Sequence, residues 1–275
     1  MRLLASALLS LIALNVADGA EFFPKKANPT DVRIVGVKPT PEPGNVKTVI
    51  QFPKEKQVVG SSSVNVQIRL TGFPLGVPSN DFDRAKQIYN DPNGQSMLVF
   101  VDNNHPIEIY KSFIDSLDGN NLFFDLTLTT QIPYTLQEGM HVIRAFPDRS
   151  FGESLKSPGS YDASIFYVGK RENNLNVNLK APYLTYNEPL ETMTYTASKP
   201  LLLDFYLSNI QLSRDGYKVR VTIDGNIERL LTQWIPYYIY GLAAGRHTVR
   251  LQLLDEKNEV EPGLFNDVTR TISVR

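Results

Sequence analysis

The chain has 275 residues, a formal net charge of −1 and no cysteine. Without cysteine there are no disulfides, thiolate nucleophiles, iron–sulfur clusters or sulfur-ligated zinc sites. The charges are interspersed and form no basic stripe, so the sequence lacks the electrostatic footprint of a nucleic-acid-binding protein. We therefore predict no nucleic-acid partner.

The N-terminus has the pattern of a secretory signal peptide. Arg2 supplies a positive charge, residues 3–16 are mostly apolar, and Ala17 and Gly19 are small residues at −3 and −1 of a cleavage site. The apolar run is shorter than the roughly 20 residues of a membrane span. We predict that residues 1–19 are removed, that no membrane span remains, and that the protein is exported to the periplasm or the extracellular space. A signal peptide without cysteine favours a bacterial envelope protein, because secreted eukaryotic domains of this kind usually carry disulfides.

Residues 20–45 are predicted to form a proline-rich leader. Proline at this density disfavours helices and sheet ladders and favours an extended tether. The apolar residues Val32, Ile34, Val35 and Val37 predict a short strand within this leader.

A first β-sandwich domain is predicted over residues 46–170. Apolar and polar residues alternate over 64–70, which indicates a half-buried strand because side chains on a strand alternate between its faces. Two polar insertions, residues 78–95 and 111–121, interrupt the strand pattern. We predict that both insertions are surface loops.

A second β-sandwich domain is predicted over residues 171–275. Short segments of strand character follow one another, separated by turn signals such as Asp215-Gly216 and Pro262-Gly263. This spacing is typical of a Greek-key sandwich. The predicted fold class is therefore all-β, with two tandem immunoglobulin-like sandwiches after a cleaved signal peptide and a proline-rich leader.

The two predicted domains repeat each other in sequence. An Ile-Pro-Tyr run from residue 132 and then Gly139-x-His141 recur as an Ile-Pro-Tyr run from residue 235 and then Gly245-x-His247. Upstream, Val-Asp-Asn-Asn from residue 101 is echoed by Ile-Asp-Gly-Asn from residue 223. A period of about 100 residues is too long for a solenoid unit and fits tandem domains.

The segment from Leu242 through Gly245 and His247 to Asp255 resembles the penultimate-strand motif of bacterial immunoglobulin-like and fibronectin-type III-like exported proteins. In those families, a Leu-x-x-Gly-x-His/Tyr-x-apolar pattern marks the entry into that strand. Residues 136–146 match the same pattern. The resemblance implies a tandem sandwich fold and carries no implication about function.

We predict that Gly139, His141, Gly245 and His247 form structural corners. In the tyrosine corner of sandwich domains, a ring near the strand start hydrogen-bonds the backbone a few residues upstream. A glycine allows the sharp bend that precedes the strand. Two of the three histidines of the chain occupy equivalent repeat positions, which favours this role over catalysis or metal binding. The third, His105, is predicted to lie in an exposed turn.

A candidate binding face lies where the repeats diverge. Trp234, Tyr238 and Tyr240 share one face of an extended strand with Pro236, whereas the matching face over residues 131–137 is polar. Three interpretations of the aromatic face remain open. It packs against the other domain or the leader, it binds a protein partner, or it stacks against sugar rings.

We predict a non-catalytic exported protein that binds or scaffolds a protein partner in the cell envelope. Its affinity would come from the aromatic face or from a sheet edge that accepts an extra strand. The alternative is a carbohydrate-binding module that recognises cell-envelope glycan through the same aromatics, and a hydrolase is the second alternative. The sequence contains no Gly-x-Ser-x-Gly elbow, phosphate loop or dinucleotide fingerprint, so we predict no catalytic residue, metal site or cofactor. Arg144, Arg149 and Lys156 are predicted on a solvated face.

Overall fold

A computed structural model of the protein describes residues 32–79, 82–110, 125–172 and 177–275. The predicted signal peptide, the first part of the leader and the second polar insertion lie outside these ranges. The regular secondary structure of the described chain is almost all strand, and the strands form two tandem immunoglobulin-like β-sandwiches. The predicted fold class is therefore confirmed. None of the described helical residues forms a helix long and apolar enough to cross a membrane.

The first sandwich consists of a three-stranded and a five-stranded sheet. A short strand, β1 (Arg33–Gly36), precedes it in the chain. The strands of the first sandwich are β2 (Lys47–Phe52), β3 (Gln57–Val59), β4 (Asn65–Thr71), β5 (Ser96–Val101), β6 (Ile107–Ile109), β7 (Asp125–Gln131), β8 (Gly139–Asp148) and β9 (Asp162–Val168). The sheet orders are β2-β4-β7 and β3-β9-β8-β5-β6. A single-turn helix, α1 (Phe82–Gln87), lies in the first insertion.

The sequence alternation explains how these strands enclose a core. In β4 the side chains of Val66, Ile68 and Leu70 are buried in the first core, and the polar residues between them face outward. Facing residues of the five-stranded sheet, such as Ile143 and Ala145 in β8, complete this core. Each sheet thus has one apolar face toward the centre of the sandwich.

The second sandwich has the same strand order. Its strands are β10 (Tyr183–Glu188), β11 (Thr194–Tyr195), β12 (Leu201–Ser208), β13 (Lys218–Ile223), β14 (Ile227–Leu231), β15 (Tyr237–Tyr240), β16 (Gly245–Leu254) and β17 (Asp267–Val274). They form the orders β10-β12-β15 and β11-β17-β16-β13-β14. Each strand of the second sandwich corresponds to the strand eight numbers earlier in the first. Thus β10 corresponds to β2, and β17 corresponds to β9. The parallel pair β3–β9 recurs as β11–β17.

One part of the sequence repeat does not correspond in space. Gly139 and Gly245 both begin the penultimate strand of their sandwich. The Ile-Pro-Tyr runs are not equivalent, because the first follows β7 whereas the second runs into β15. The spacing is the cause: Ile132 lies seven residues before its glycine and Ile235 ten residues before its own.

The leader contacts both sandwiches. The strand predicted within it forms as β1, which pairs antiparallel with β15 in the second sandwich. Further along, the main-chain N–H and the hydroxyl of Thr40 donate to the buried Glu153 carboxylate of the first sandwich at 2.9 and 2.7 Å. The described part of the leader is therefore held against both sandwiches. The division of the chain at residues 45 and 170 stays a prediction.

The two sandwiches share a buried interface on the outward face of the five-stranded sheet of the first sandwich. Met140 and Val142 of β8 cluster with Tyr183 and Phe265 of the second sandwich. Phe146 stacks on Tyr206, with ring centroids 5.0 Å apart. As a result, all ten residues of β8 are buried.

Candidate functional site

The histidine corner of the first sandwich is a closed hydrogen-bond network. His141 Nε2 lies 2.8 Å from the main-chain oxygen of Gln137, and His141 Nδ1 lies 2.7 Å from Asp102 Oδ2. The other oxygen of Asp102 accepts the main-chain N–H of Val142 at 2.9 Å. The network ties the start of β8 to the loop before it and to the turn after β5.

The second sandwich repeats this network. His247 Nε2 lies 2.9 Å from the main-chain oxygen of Ala243, and His247 Nδ1 lies 2.7 Å from Asp224 Oδ2. Asp224 Oδ1 accepts the main-chain N–H of Thr248 at 2.8 Å. The glycines that precede the histidines have φ angles of 118° and 146°, in the region that favours glycine. These contacts support the predicted corner role of Gly139, His141, Gly245 and His247, which we carry forward as a proposal.

The partners of His141 favour its protonated form. A carboxylate and a carbonyl oxygen only accept hydrogen bonds, and both ring nitrogens can donate to them only in the imidazolium. Burial lowers the pKa of His141, but its bonds to Asp102 and Gln137 outweigh burial and raise the pKa overall. While both of its ring nitrogens donate, His141 has no lone pair for a proton or a metal ion.

Sequence reasoning missed the aspartates of the corners. Asp102 and Asp224 lie in the turns after β5 and β13, and both have positive φ angles, of 51° and 50°. The signal was present in the sequence, because each aspartate lies at the same place in the upstream repeat match. A buried histidine that recurs with an aspartate in both copies indicates an ion pair.

The aromatic residues of the candidate binding face are covered within the chain. Tyr238 is 3% exposed and clusters with Ile88 and Phe151 of the first sandwich and with Leu202. Its position is that of an interface residue. Of the three interpretations, packing against the other domain describes this residue, and no open surface for a partner or a sugar forms around it.

Trp234 and Tyr240 also contact neighbouring parts of the chain. The indole N–H of Trp234 donates to the main-chain oxygen of Phe205 at 2.9 Å, and its ring meets Tyr206 edge-on at 5.1 Å. Tyr240 lies on β15 beside β1, with the Arg33 guanidinium 5.4 Å from its ring centre. The interpretation of Trp234, Tyr238 and Tyr240 as one open binding face is therefore corrected: Tyr238 is buried, Trp234 lies before β15 in a different cluster, and both Trp234 and Tyr240 are half-buried.

Of the basic residues predicted on a solvated face, Arg144 and Arg149 are buried and Lys156 is mostly covered. The Arg149 guanidinium donates to the main-chain oxygen of Pro41 at 2.7 Å, which holds the leader against the first sandwich. Lys156 Nζ lies 2.5 Å from Oδ1 of Asp204, a fully buried residue of β12. Both side chains hold parts of the chain together, as does Arg144, which spans the interface.

Two carboxyl groups, one from each sandwich, lie near each other at another part of the interface. Burial raises the pKa of Asp148 well above its usual value, although Ser96 donates a hydrogen bond to it. Burial also raises the pKa of Glu188 to about 8, despite a hydrogen bond from Tyr195. Both carboxyl groups therefore favour the neutral form. Among the described residues, no three His, Asp or Glu side chains come together as metal ligands.

No protein-family model and no curated protein matches the chain. Among solved structures, it is similar to the fibronectin(III)-like modules of Clostridium thermocellum CbhA, at 13% identity over 83% of this chain and 94% of that chain, with a TM-score of 0.27. A chimeric titin Z1Z2 tandem matches at 14% identity over 84% and 98% of the two chains, with a TM-score of 0.23. Chicken CNTN1 FN1-FN3 domains match at 12% identity over 87% and 69%, with a TM-score of 0.20.

Proposed function

We propose that this protein is a non-catalytic exported protein of the cell envelope that binds or scaffolds a protein partner by adding a strand to a sheet edge. The observation that carries the proposal is β1. This strand lies outside the repeated set of strands, yet it extends the second sandwich by pairing Arg33 with Tyr240 through Gly36 with Tyr237. The second sandwich thus already accepts a strand from elsewhere in the chain.

The first sandwich has the same edge at β7. This strand is the counterpart of β15, and within the described residues its ladder partner is β4 alone. An edge strand presents main-chain donors and acceptors that an extended segment can pair with. We assign this edge as the docking place for a strand of a partner protein.

The rigid join between the sandwiches supports a scaffolding role. Relative motion of domains is the usual expectation unless their interface is large and apolar. Here aromatic stacking, the buried Lys156–Asp204 ion pair and the leader all connect the two sandwiches. The β7 edge would consequently be held at a fixed orientation relative to the second sandwich.

The experiment is site-specific photo-crosslinking in the producing cells, with the crosslinker at Thr129. Thr129 is exposed on β7, so a protein strand paired there would be captured. Thr129→Lys on the exported parent protein should abolish co-purification of that captured protein, because lysine discourages edge pairing. The matched control is Thr248→Lys, an exposed threonine on the interior strand β16, which should leave capture unchanged.

Binding at β7 would be contradicted if the crosslinker at Thr129 captured no protein. It would also be contradicted if the captured protein co-purified equally with the parent, the Thr129→Lys variant and the Thr248→Lys variant. A glycan array run with the same proteins covers the alternative of a carbohydrate-binding module. Saturable glycan binding without a protein partner would replace our proposal with that alternative.

A further inference from the structure

A cavity of about 180 Å³ lies in the cleft between the two sandwiches. Arg144 of β8 forms part of its wall on the first sandwich, and Thr185, Phe265 and Arg270 form the opposite wall. A cavity of this size has room for a few water molecules or a small organic acid, since one water occupies about 30 Å³ in the liquid.

Arg144 is 2% exposed and spans the cleft. Its Nη1 donates to the Thr185 hydroxyl at 2.8 Å, its Nη2 donates to the main-chain oxygen of Asp102, and the guanidinium carbon lies 3.4 Å from the ring centre of Phe265. Its Nε has no hydrogen-bond partner. Burial lowers the pKa of Arg144 to about 10, and the nearby charge of Arg270 acts in the same direction.

Arg270 is the second buried cation of the cleft, at 7% exposed. Its guanidinium donates to the main-chain oxygens of Tyr186, Asn187 and Pro189 and lies 4.2 Å from the ring centre of Tyr186. Within the described part of the chain, neither arginine forms an ion pair with a carboxylate. Two buried cations near each other without a paired carboxylate are costly, because desolvation disfavours the charged form, and the charge of Asp102 only partly offsets this cost at Arg144.

One carboxylate, that of Glu191, does line the cleft. Its Oε1 accepts the main-chain N–H of Thr271 at 3.0 Å, and its Oε2 lies 3.2 Å from His105 Nε2. Glu191 is therefore engaged by His105 of the first sandwich and by β17 of the second, and neither of its oxygens bonds an arginine.

The second sandwich has a carboxylate partner for the equivalent arginine that the first sandwich lacks. Arg250 of β16 is the counterpart of Arg144, since both lie five residues after the corner glycine. Arg250 makes a paired hydrogen bond with Asp267, at 2.7 and 2.5 Å. Arg144 pairs across its sheet with Ala163, as Arg250 does with Thr269. The residue two positions before this cross-strand partner is Tyr161 in the first sandwich and Asp267 in the second.

We propose that the cleft binds a carboxylate-bearing small molecule or chain terminus, whose carboxylate gives Arg144 the counter-charge that Asp267 gives Arg250. A guanidinium binds carboxylates strongly through paired, charge-assisted hydrogen bonds. The unpartnered Nε of Arg144 supplies one donor, and the rings of Phe100 and Phe265 provide apolar walls for the rest of the ligand. This site is independent of the β7 edge.

The test is a titration of the mature protein with sodium acetate at constant ionic strength, with chloride as the balancing ion. Amide resonances of Asn104 and Thr185 and the side-chain Nε–H resonance of Arg144 should shift together with one saturating dissociation constant. Arg144→Gln should weaken binding about tenfold or more, because a hydrogen bond to a charged group is lost. The matched control Arg250→Gln, at the equivalent repeat position, should bind like the parent.

A parallel titration separates the sources of the carboxylate. A short peptide with a free C-terminus that binds more tightly than acetate, while its amidated form does not bind, would assign a chain terminus. Equal or weaker binding of the peptide would assign a small acid. An Arg144 Nε–H resonance that stays unchanged through both titrations of the parent would overturn the proposal, whether or not the Arg144→Gln variant folds.

Discussion

Strands β8 and β16 begin with the same motif and end in different surroundings. Both start at a glycine, place a histidine in the same corner and carry an arginine three residues later. The faces that these strands turn away from their own core differ. The second sandwich covers this face of β8, whereas much of this face of β16 is exposed. The outward residues are Met140, Val142, Arg144 and Phe146 in β8 and Arg246, Thr248, Arg250 and Gln252 in β16.

This difference shows that the shared motif fixes the corner, while the side chains on the other face decide what the strand contacts. Phe146 stacks on Phe100 and Tyr206 in the interface. Its counterpart Gln252 instead accepts hydrogen bonds from Arg220 and donates one to Asp267. One sheet face became an interface between sandwiches and the other stayed a polar surface.

The largest expected effect is that of Phe146→Ala. Phe146 is fully buried, so its removal leaves a cavity in the interface and should lower the free energy of unfolding by about 3–5 kcal/mol. The matched change Gln252→Ala removes hydrogen bonds in the polar counterpart and should cost roughly 1 kcal/mol. Urea unfolding of both variants measures the difference, and equal losses would contradict the contrast between the two faces.

The next effect concerns Glu188, the counterpart of Phe52 in the repeat. Each of these residues ends the first strand of its sandwich and precedes a proline. The pKa of Glu188 is raised from 4.5 to about 8 in the folded protein. A group with a raised pKa contributes stability that is complete below pH 4.5 and is lost as pH rises through about 8. Glu188→Gln should therefore gain stability relative to the parent over this range.

Urea unfolding at a series of pH values tests this expectation. The control is Glu228→Gln, at an exposed site on β14, which measures the effect of the same substitution at the surface. A Glu188→Gln difference that does not change between pH 4.5 and about 8 would contradict the raised pKa of Glu188.

A smaller effect is expected at the corners. His141→Gln and His247→Gln should each lower the free energy of unfolding by about 1–3 kcal/mol, because each leaves a buried acceptor unpaired. The raised pKa of His141 means that its contribution is complete below its usual pKa of 6.5 and is lost as pH rises through the folded value. The cost of His141→Gln should thus shrink at alkaline pH. A cost that grows with pH would contradict the protonated ring.

The smallest effect is that of Arg250→Gln on stability. The Arg250–Asp267 pair is well exposed, with 45% and 36% of the two side chains accessible. Exposed ion pairs contribute about 0–1 kcal/mol, so thermal and urea unfolding should change little. A loss of several kcal/mol would mean that the outward face of β16 is also part of a buried interface.

Much of the fold was predictable because it depends on local pattern. The alternation in β4, the turn residues and the Gly-x-His repeat define strands and corners from neighbours in the sequence. The role of Tyr238 was not predictable in this way, because periodicity tells which side chains share a face and not what covers that face. A signal for the interface did exist, since Met140, Val142 and Phe146 make the outward face of β8 apolar where β16 is polar.

The central claim is that this covered face joins the two sandwiches into one cooperative unit, and differential scanning calorimetry of the mature protein tests it most directly. We expect a single transition whose calorimetric and van't Hoff enthalpies agree, as for a two-state unit. Two resolved transitions, or a calorimetric enthalpy about twice the van't Hoff value, would contradict the claim and show that the sandwiches unfold independently.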